Sequence, residues 1–253
     1  MFGPEAQVMF AICAFYAYDA CVPLAADAGL MRCSGRTGWH GLLATQGFEV
    51  RWAYLVWPAL LLPHQPVYPL RWQASRIHLP GDPAVVQGLQ AHAASLRRFA
   101  VPLYGLGCAL FVLLPGALFV WPGEAGQLVA AALVYLFAGW IAMQVWRHGR
   151  TGHTPRSVAR AIAVQCLLCP PFALNAVRKL SAAYTPAIDL LQAAHPLLQP
   201  AAWDALARRM EAVIEAEMDA AQADGHARQA QQLHTALQKL QALAPHAAGT
   251  PAP

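Results

Sequence analysis

The chain has 253 residues, of which 57% are hydrophobic and only 12% are charged. A soluble globular domain carries about 25% charged residues, so the deficit indicates long stretches that do not face water. The formal net charge of +4 is modest and argues against the basic surface of a nucleic-acid-binding protein. Composition therefore favours an α-helical integral membrane protein and excludes nucleic acid as an expected partner.

The first apolar stretch covers residues 6–24 and predicts a transmembrane helix within residues 1–25. A bilayer core of about 30 Å requires roughly 20 apolar residues in a helix. Asp19 and Pro23 lie near the C-terminal end of the stretch. A carboxylate costs less at that end than at the centre of the bilayer, so Asp19 does not rule out a crossing.

Residues 26–82 have a different pattern of apolar and polar residues. Apolar and polar side chains alternate from Phe48 to Val56, which is the pattern of a strand with one covered face. Pro69 would disrupt a central strand, so residues 67–72 are expected to form an edge strand. We therefore predict a small β-rich cytoplasmic subdomain. Asp82 and Pro83 then mark the start of an amphipathic helix over residues 83–99.

Residues 100–147 predict a transmembrane helical hairpin. Residues 101–121 and 128–146 are apolar and uncharged, and only residues 122–127 connect them. Each stretch is long enough to cross a bilayer, and the connection is too short for anything but a tight turn. Together with residues 1–25, these stretches give three predicted transmembrane helices.

Residues 148–183 are predicted to form a basic loop and a broken interfacial or re-entrant helix. Cys169-Pro170-Pro171 interrupts the apolar stretch 157–177, because proline removes a backbone donor and clashes with the preceding turn. The cysteines Cys166 and Cys169 are interpreted as buried, inert thiols rather than as a redox pair. The remaining residues, 184–245, show the spacing of cytoplasmic amphipathic, coiled-coil-like helices, and residues 246–253 are interpreted as a disordered tail.

Basic residues indicate the orientation of the helices. They occur between the first and second predicted spans and again from Arg147 onward, whereas residues 122–127 contain none. The positive-inside rule therefore predicts a multi-pass protein of a bacterial inner membrane, with the N-terminus outside and the C-terminus in the cytoplasm.

Three sets of residues are candidates for a functional role. Asp19 is an intramembrane or interfacial polar candidate, either a proton carrier or a partner for an arginine of another subunit; alternatively it only marks a helix end. The loop arginines are candidates for binding lipid headgroups or other anions, although they also serve as a topology signal. The leucines at 3–4 spacing near the C-terminus are the expected partner-binding helix face. The loop arginines are Arg147, Arg150 and Arg156, and the C-terminal leucines are Leu233, Leu237 and Leu240.

No catalytic residue, metal site or cofactor is predicted, because the sequence contains no nucleotide-binding, metalloprotease or nucleophile-elbow motif. The leading hypothesis is a membrane-anchored accessory or structural subunit that binds a protein partner, or a second copy of itself, at the cytoplasmic face. One alternative is a membrane enzyme or lipid-handling protein with its site at the cytoplasmic interface. A second is an oligomeric channel or transport component. The balance favours a function other than catalysis, with the lipid bilayer as a partner in each case.

Overall fold

The computed structural model describes residues 3–35, 38–50, 53–74, 77, 81–120, 123–152 and 154–243. Over these residues the chain is mostly helical and contains a small sheet region. It divides into two compact units, each formed by separate stretches of the chain. Unit 1 comprises Met1–Val22, Trp57–Val67 and Gln90–Thr185, and unit 2 comprises Pro23–Val56, Tyr68–Leu89 and Pro186–Pro253.

The elements follow one another in a simple order: one helix, a group of strands, then helices to the end. The strands are β1 Val22–Leu24, β2 Ala28–Ser34, β3 Gly38–Leu43, β4 Phe48–Val50, β5 Ala53–Val56 and β6 Val67–Arg71. The helices are α1 Pro4–Ala20, α2 Pro83–Ser95, α3 Ala100–Cys108, α4 Glu124–His148, α5 Arg156–Leu168, α6 Pro170–Ala173, α7 Ala176–Ala182, α8 Leu190–Leu197, α9 Pro200–Ala223 and α10 Ala227–Leu243.

Helices α2 and α3 belong to one helical run of 38 residues, Pro83–Val120. Asp82 caps its start, because its Oδ1 accepts a hydrogen bond from the backbone N–H of Ala84 at 2.9 Å. The run includes a 3₁₀ turn at Leu96–Phe99 and two π-helical segments, Ala109–Leu113 and Gly116–Val120. The amphipathic helix and the first half of the predicted hairpin are therefore continuous.

Two helices are long and apolar enough to cross a membrane, Pro83–Val120 and α4, and an 18-residue segment of each has a mean hydropathy of 2.2 and 2.0, respectively. The sequence predicted three spans, and the third is not confirmed. The segment concerned forms α1, which has 17 residues and is not one of the two. The hairpin of residues 100–147 thus accounts for the apolar helices that the structure identifies.

The core of unit 1 lies between α3, α4 and the helices that follow. Gly105 allows α3 to approach α4 closely, because a Cβ at this position would overlap the ring of Phe137. Helix α5 ends at Leu168, and the two prolines that follow occupy the first positions of α6, where a missing N–H costs little. The largest fully buried side chains of this core are Leu96, Phe99, Leu103, Leu106, Leu110, Ile141, Leu174 and Leu180.

Unit 2 contains two small sheets, with strand orders β3-β2-β6 and β1-β5-β4. Strands β2 and β3 pair antiparallel, from Gly29 opposite Leu43 to Ser34 opposite Gly38. Within the stretch predicted to form a single strand, β4 and β5 are two strands that pair antiparallel, and Phe48 and Val50 are 74% and 50% exposed. Alternation fixes which side chains share a face, but it does not show where a strand ends.

Helices α8 and α9 pack against strands of the first sheet, where glycines allow a close approach. A Cβ on Gly41 would lie 3.0 Å from a methyl carbon of Leu206. Asp189 caps α8 by accepting a hydrogen bond from the Leu191 N–H at 3.0 Å. Its other oxygen accepts from the Gln73 N–H at 2.7 Å, so one buried carboxylate joins the helix to the chain that follows β6.

The C-terminal helices form a hairpin within unit 2. Gly225, with a φ of +74°, lies in the turn between α9 and α10 and adopts a conformation that favours glycine. Leu233, Leu237 and Leu240 are buried, and α10 packs against α9. The helix face that the sequence assigned to a partner is therefore covered by α9 of the same chain. The predicted tail, residues 246–253, lies outside the described residues.

The packing of α10 generates a first prediction. Leu240→Ala should lower the free energy of unfolding of unit 2 by about 2–5 kcal/mol, because it leaves a cavity in a buried seam. Hydrogen exchange of α9 and α10 in the full-length protein measures this effect as faster exchange. Leu243→Ala is the matched control on the same helix, since Leu243 is 37% exposed, and it should change exchange little. Equal effects of both substitutions would contradict a buried seam.

Candidate functional site

A network of polar side chains in unit 1 joins the end of α1, the Trp57–Val67 segment and α7. Arg178 on α7 is only 3% exposed. Its Nη1 donates to Asn175 Oδ1 at 2.5 Å and its Nη2 donates to the Ala59 carbonyl at 2.8 Å. Its guanidinium also lies 6.0 Å from the centre of the Tyr16 ring. Three separate stretches of chain therefore surround one buried cation.

Burial lowers the pKa of Arg178 below its ordinary value, and its interactions with Tyr16 and Asp19 oppose that shift. The Tyr16 hydroxyl donates to the Leu60 carbonyl, so the ring that faces the guanidinium is itself fixed. Arginine has no accessible neutral form in proteins, and a buried, unpaired guanidinium would be strongly destabilising. These contacts hold Arg178 in its charged state.

Asp19 lies beside this cation in the same network. Its Oδ1 is 2.7 Å from Lys179 Nζ, and its Oδ2 accepts from Asn175 Nδ2 at 3.1 Å. The side chains of Asp19 and Lys179 are 13% and 22% exposed. Lys179 also donates to Gln165 Oε1 at 3.1 Å. The sequence offered an arginine of another subunit as the partner of Asp19, whereas the structure pairs it with a lysine of its own chain.

The network suits a structural role better than a proton pathway. Both Asp19 oxygens are already engaged, one by the Lys179 ammonium and the other by the Asn175 amide, so the side chain is fixed in place. Asn175 links its two halves, because it donates to Asp19 and accepts from Arg178. These side chains together fix the C-terminal end of α1.

A second cluster forms a small pocket at the end of α4. Arg150, Arg156 and Arg160 line a cavity of about 150 Å³ together with Trp146 and Gly149. The Arg150 guanidinium lies over the Trp146 ring, 4.4 Å from its centre. The structure therefore brings two of the three arginines singled out from the sequence into one site and adds Arg160.

Arg147, the third of those arginines, is placed differently. It is exposed in the last turn of α4 and does not line the pocket. Arg160, which the sequence did not single out, follows Arg156 by one helical turn on α5, so the two share a face. This spacing was a signal in the sequence, but Arg160 lies within the apolar stretch 157–177 and was not grouped with the loop.

A third cluster, which sequence analysis did not identify, contains two buried histidines. His92 Nε2 and His148 Nε2 are 3.3 Å apart, and Arg98 Nη2 lies 3.1 Å from His148 Nδ1. Arginine only donates, so His148 Nδ1 is the acceptor and its proton lies on Nε2, facing His92. The Tyr184 ring stacks on His92 with centres 4.3 Å apart. The cluster joins α2 to the end of α4.

The sequence did contain a signal for this pair. His92 follows Leu89 by three residues and precedes Leu96 by four, and both leucines are buried. His148 likewise follows the buried Val145 by three residues. A histidine at the spacing of a buried helix face is expected to have a polar partner there. Periodicity identifies such positions, but it does not show that two of them meet.

The two cysteines near the helix break differ in burial. Cys166 is buried, Cys169 is half-buried, and both are free thiols. Burial raises the pKa of the Cys166 thiol to about 12, so it stays protonated at neutral pH and is a poor nucleophile. Among the described residues, no group of three or more His, Cys, Asp or Glu side chains is arranged to hold a metal ion.

Comparison with known proteins adds no relative: no protein-family model, curated protein or solved structure matches this chain. The description of its sites therefore rests on its own geometry.

The Asp19 network generates a second prediction. Asp19→Asn and Lys179→Met should each lower the free energy of unfolding by about 1–3 kcal/mol, because each leaves a partly buried charge without its partner. The double variant should lose less than the sum of the two, with a coupling of about 1 kcal/mol. Unfolding of the detergent-purified protein measures the three values.

Glu5→Gln is the control for this cycle, since it removes a carboxylate from the other end of α1. It should show no coupling with Lys179→Met. Strictly additive effects of Asp19→Asn and Lys179→Met would contradict a stabilising ion pair.

Proposed function

We propose that this chain is an integral membrane protein and acts as a membrane-anchored accessory or structural subunit. The observation that carries the membrane assignment is the exposure of apolar side chains on the two long helices. In the most apolar 18 residues of each helix, only 28% and 33% of the residues are buried. A core helix of a soluble protein buries its apolar surface, whereas a membrane-spanning helix turns it toward lipid.

The exposed side chains support this assignment because they are large and occur along the whole hairpin. A contiguous exposed apolar surface of this kind marks contact with lipid or with another protein. On the Pro83–Val120 helix they are Val101, Tyr104, Phe111, Val112, Leu113, Phe119 and Val120, and on α4 they are Leu128, Val129, Tyr135, Leu136, Trp140, Met143 and Trp146.

We include α1 as a third crossing in this proposal. Val8, Phe10, Phe15 and Tyr18 are exposed on it, as on the other two helices. Seventeen residues make a helix of about 26 Å, slightly shorter than the hydrocarbon core of about 30 Å. Asp19 lies at the end of α1, where a carboxylate costs less than at the centre of the bilayer, and in the folded unit it is paired with Lys179.

The positions of the basic residues next to the apolar helices support the orientation given by the positive-inside rule. Arg97 and Arg98 precede the apolar part of the Pro83–Val120 helix, and Arg147 and Arg150 follow the apolar part of α4, whereas residues 122–127 contain no Lys or Arg. We place the N-terminus outside a bacterial inner membrane and the C-terminus in the cytoplasm.

An accessory role fits the way the polar residues of unit 1 are used. Asp19, Asn175, Arg178 and Lys179 bind to one another and to backbone carbonyls, which holds helices in place. Unit 2, with its sheets and the α9–α10 hairpin, is then the water-soluble part that binds a protein partner or a second copy of the chain.

A third prediction tests the membrane assignment. Leu136→Arg places a charge at the midpoint of α4, on an exposed site. If this surface faces lipid, the substitution should cost a few kcal/mol of insertion free energy and reduce the amount of protein in the membrane. Alkaline extraction of isolated membranes, followed by immunoblotting, measures that amount. Leu243→Arg on the exposed part of α10 is the control and should leave it unchanged. Equal recovery of both variants would overturn the assignment.

A fourth prediction tests the accessory role. The full-length protein, extracted from native membranes in a mild detergent, should co-elute with one protein in a fixed stoichiometric ratio, or as a defined homo-oligomer. Size-exclusion chromatography with mass spectrometry measures the ratio. Asp19→Asn should keep the same ratio in its folded fraction, because Asp19 acts inside unit 1. A monomer that elutes alone would contradict the proposal.

A further inference from the structure

We infer that Arg150, Arg156 and Arg160 bind the phosphate group of an anionic phospholipid, whose acyl chain lies along α4. This inference rests on the proposed function, because it requires unit 1 to lie in a bilayer. It concerns a ligand of the chain itself, separate from any protein partner.

The pocket has the donor groups that a phosphate requires. Arginine presents a planar fork of N–H donors that matches two phosphate oxygens, and three such side chains line one cavity of about 150 Å³. Arg156 and Arg160 are one turn apart on α5, and Arg150 reaches the cavity from the segment that follows α4. The stacking of Arg150 on Trp146 fixes one of the three guanidinium groups.

The positive charge of the pocket is not neutralised by the chain. In the part of the chain that the structure describes, none of the three arginines forms an ion pair. The acidic residues of unit 1 are Glu5, Asp19 and Glu124. Asp19 is paired with Lys179, and Glu124 begins the helix at whose other end the pocket lies, about 36 Å away along its axis. Like charges one turn apart destabilise a helix, so a bound anion would relieve a repulsion that the chain leaves in place.

The N-terminal end of α5 adds to the positive electrostatic potential of the pocket. Arg156 is its first residue, and the N-cap residue Pro155 makes no side-chain hydrogen bond to the first turn. The first turn also contains no acidic residue. The N–H groups at a helix start carry a partial positive charge that favours anions. This contribution supports the arginines and would not define a site without them.

The surface next to the pocket indicates a lipid rather than a free phosphate ion. Leu136, Trp140 and Met143 are exposed at 4 and 3 spacing, on one face of α4, and Trp146 continues this exposed surface to the pocket. A phospholipid with its phosphate among the arginines would lay an acyl chain against this apolar stripe. Tryptophan and arginine at the end of a span are also the residues expected at the level of the headgroups.

The test compares binding of three probes to the delipidated full-length protein in detergent. Phosphatidylglycerol, phosphatidylcholine and inorganic phosphate are each titrated, and native mass spectrometry measures the bound fraction. We expect phosphatidylglycerol to bind most tightly. Arg150→Gln, Arg156→Gln and Arg160→Gln should each weaken it about tenfold, the effect of losing one charge-assisted hydrogen bond.

Arg147→Gln is the matched control. It removes the same charge from the adjacent turn, but Arg147 does not line the pocket, so binding should stay within about twofold of wild type if the pocket rather than the general field binds the lipid. Arg150→Lys keeps the charge and removes the fork. It should weaken binding several-fold, and it replaces Arg150→Gln if that variant does not fold.

Several outcomes would overturn the inference. Equal weakening by Arg147→Gln and the pocket variants would show diffuse attraction without a site. Equal affinity for phosphatidylcholine would exclude selection of an anionic lipid, and inorganic phosphate that binds as tightly as phosphatidylglycerol would exclude a contribution from the acyl chain. Alkaline extraction of membranes distinguishes a failure of this inference from a failure of the membrane assignment. Pocket variants that stay in the membrane test lipid binding by the pocket alone. Release of the wild-type protein from the membrane would refute the proposed function itself.

Discussion

The fold of unit 1 depends on the burial of one guanidinium group. Arg178 cannot lose its charge and is shielded from water, so the surrounding chain must supply acceptors and a π face. Asn175, the Ala59 carbonyl and the Tyr16 ring do so, and each comes from a different part of the sequence. The position of α1 and the path of the Trp57–Val67 segment follow from this requirement, as does the proximity of Lys179 to Asp19.

An apolar exterior explains where the remaining polar groups lie. If unit 1 lies in a bilayer, as proposed, its polar side chains must be paired inside the unit or placed at helix ends. The Asp19 network and the His92–His148 pair are paired inside the unit. The arginines that line the pocket after α4 lie at helix ends. The polar groups of the inner clusters contact one another, whereas among the described residues none of the three outer arginines forms an ion pair.

The sequence predicted those features that depend on local periodicity. Uniform hydrophobicity indicated the helices of residues 100–147, and 3–4 spacing indicated the α10 face containing Leu237. Neither pattern shows which element a helix face will contact. The α10 face that the sequence assigned to a partner packs against α9 of the same chain. The partners of Asp19 were out of reach for the same reason: Asn175 is 156 positions away, and no local rule brings them together. Arg178 was interpreted as a topology signal because its charge is visible in the sequence and its burial is not.

The distance in sequence between the ends of the Asp19 network has a consequence for biogenesis. Translation proceeds from the N-terminus, so α1 is synthesised about 160 residues before Lys179 and waits roughly 8–32 s for it. During that interval the carboxylate of Asp19 lacks both partners that α7 supplies. A nascent or truncated chain that ends before α7 therefore exposes an uncompensated charge at the end of its first helix.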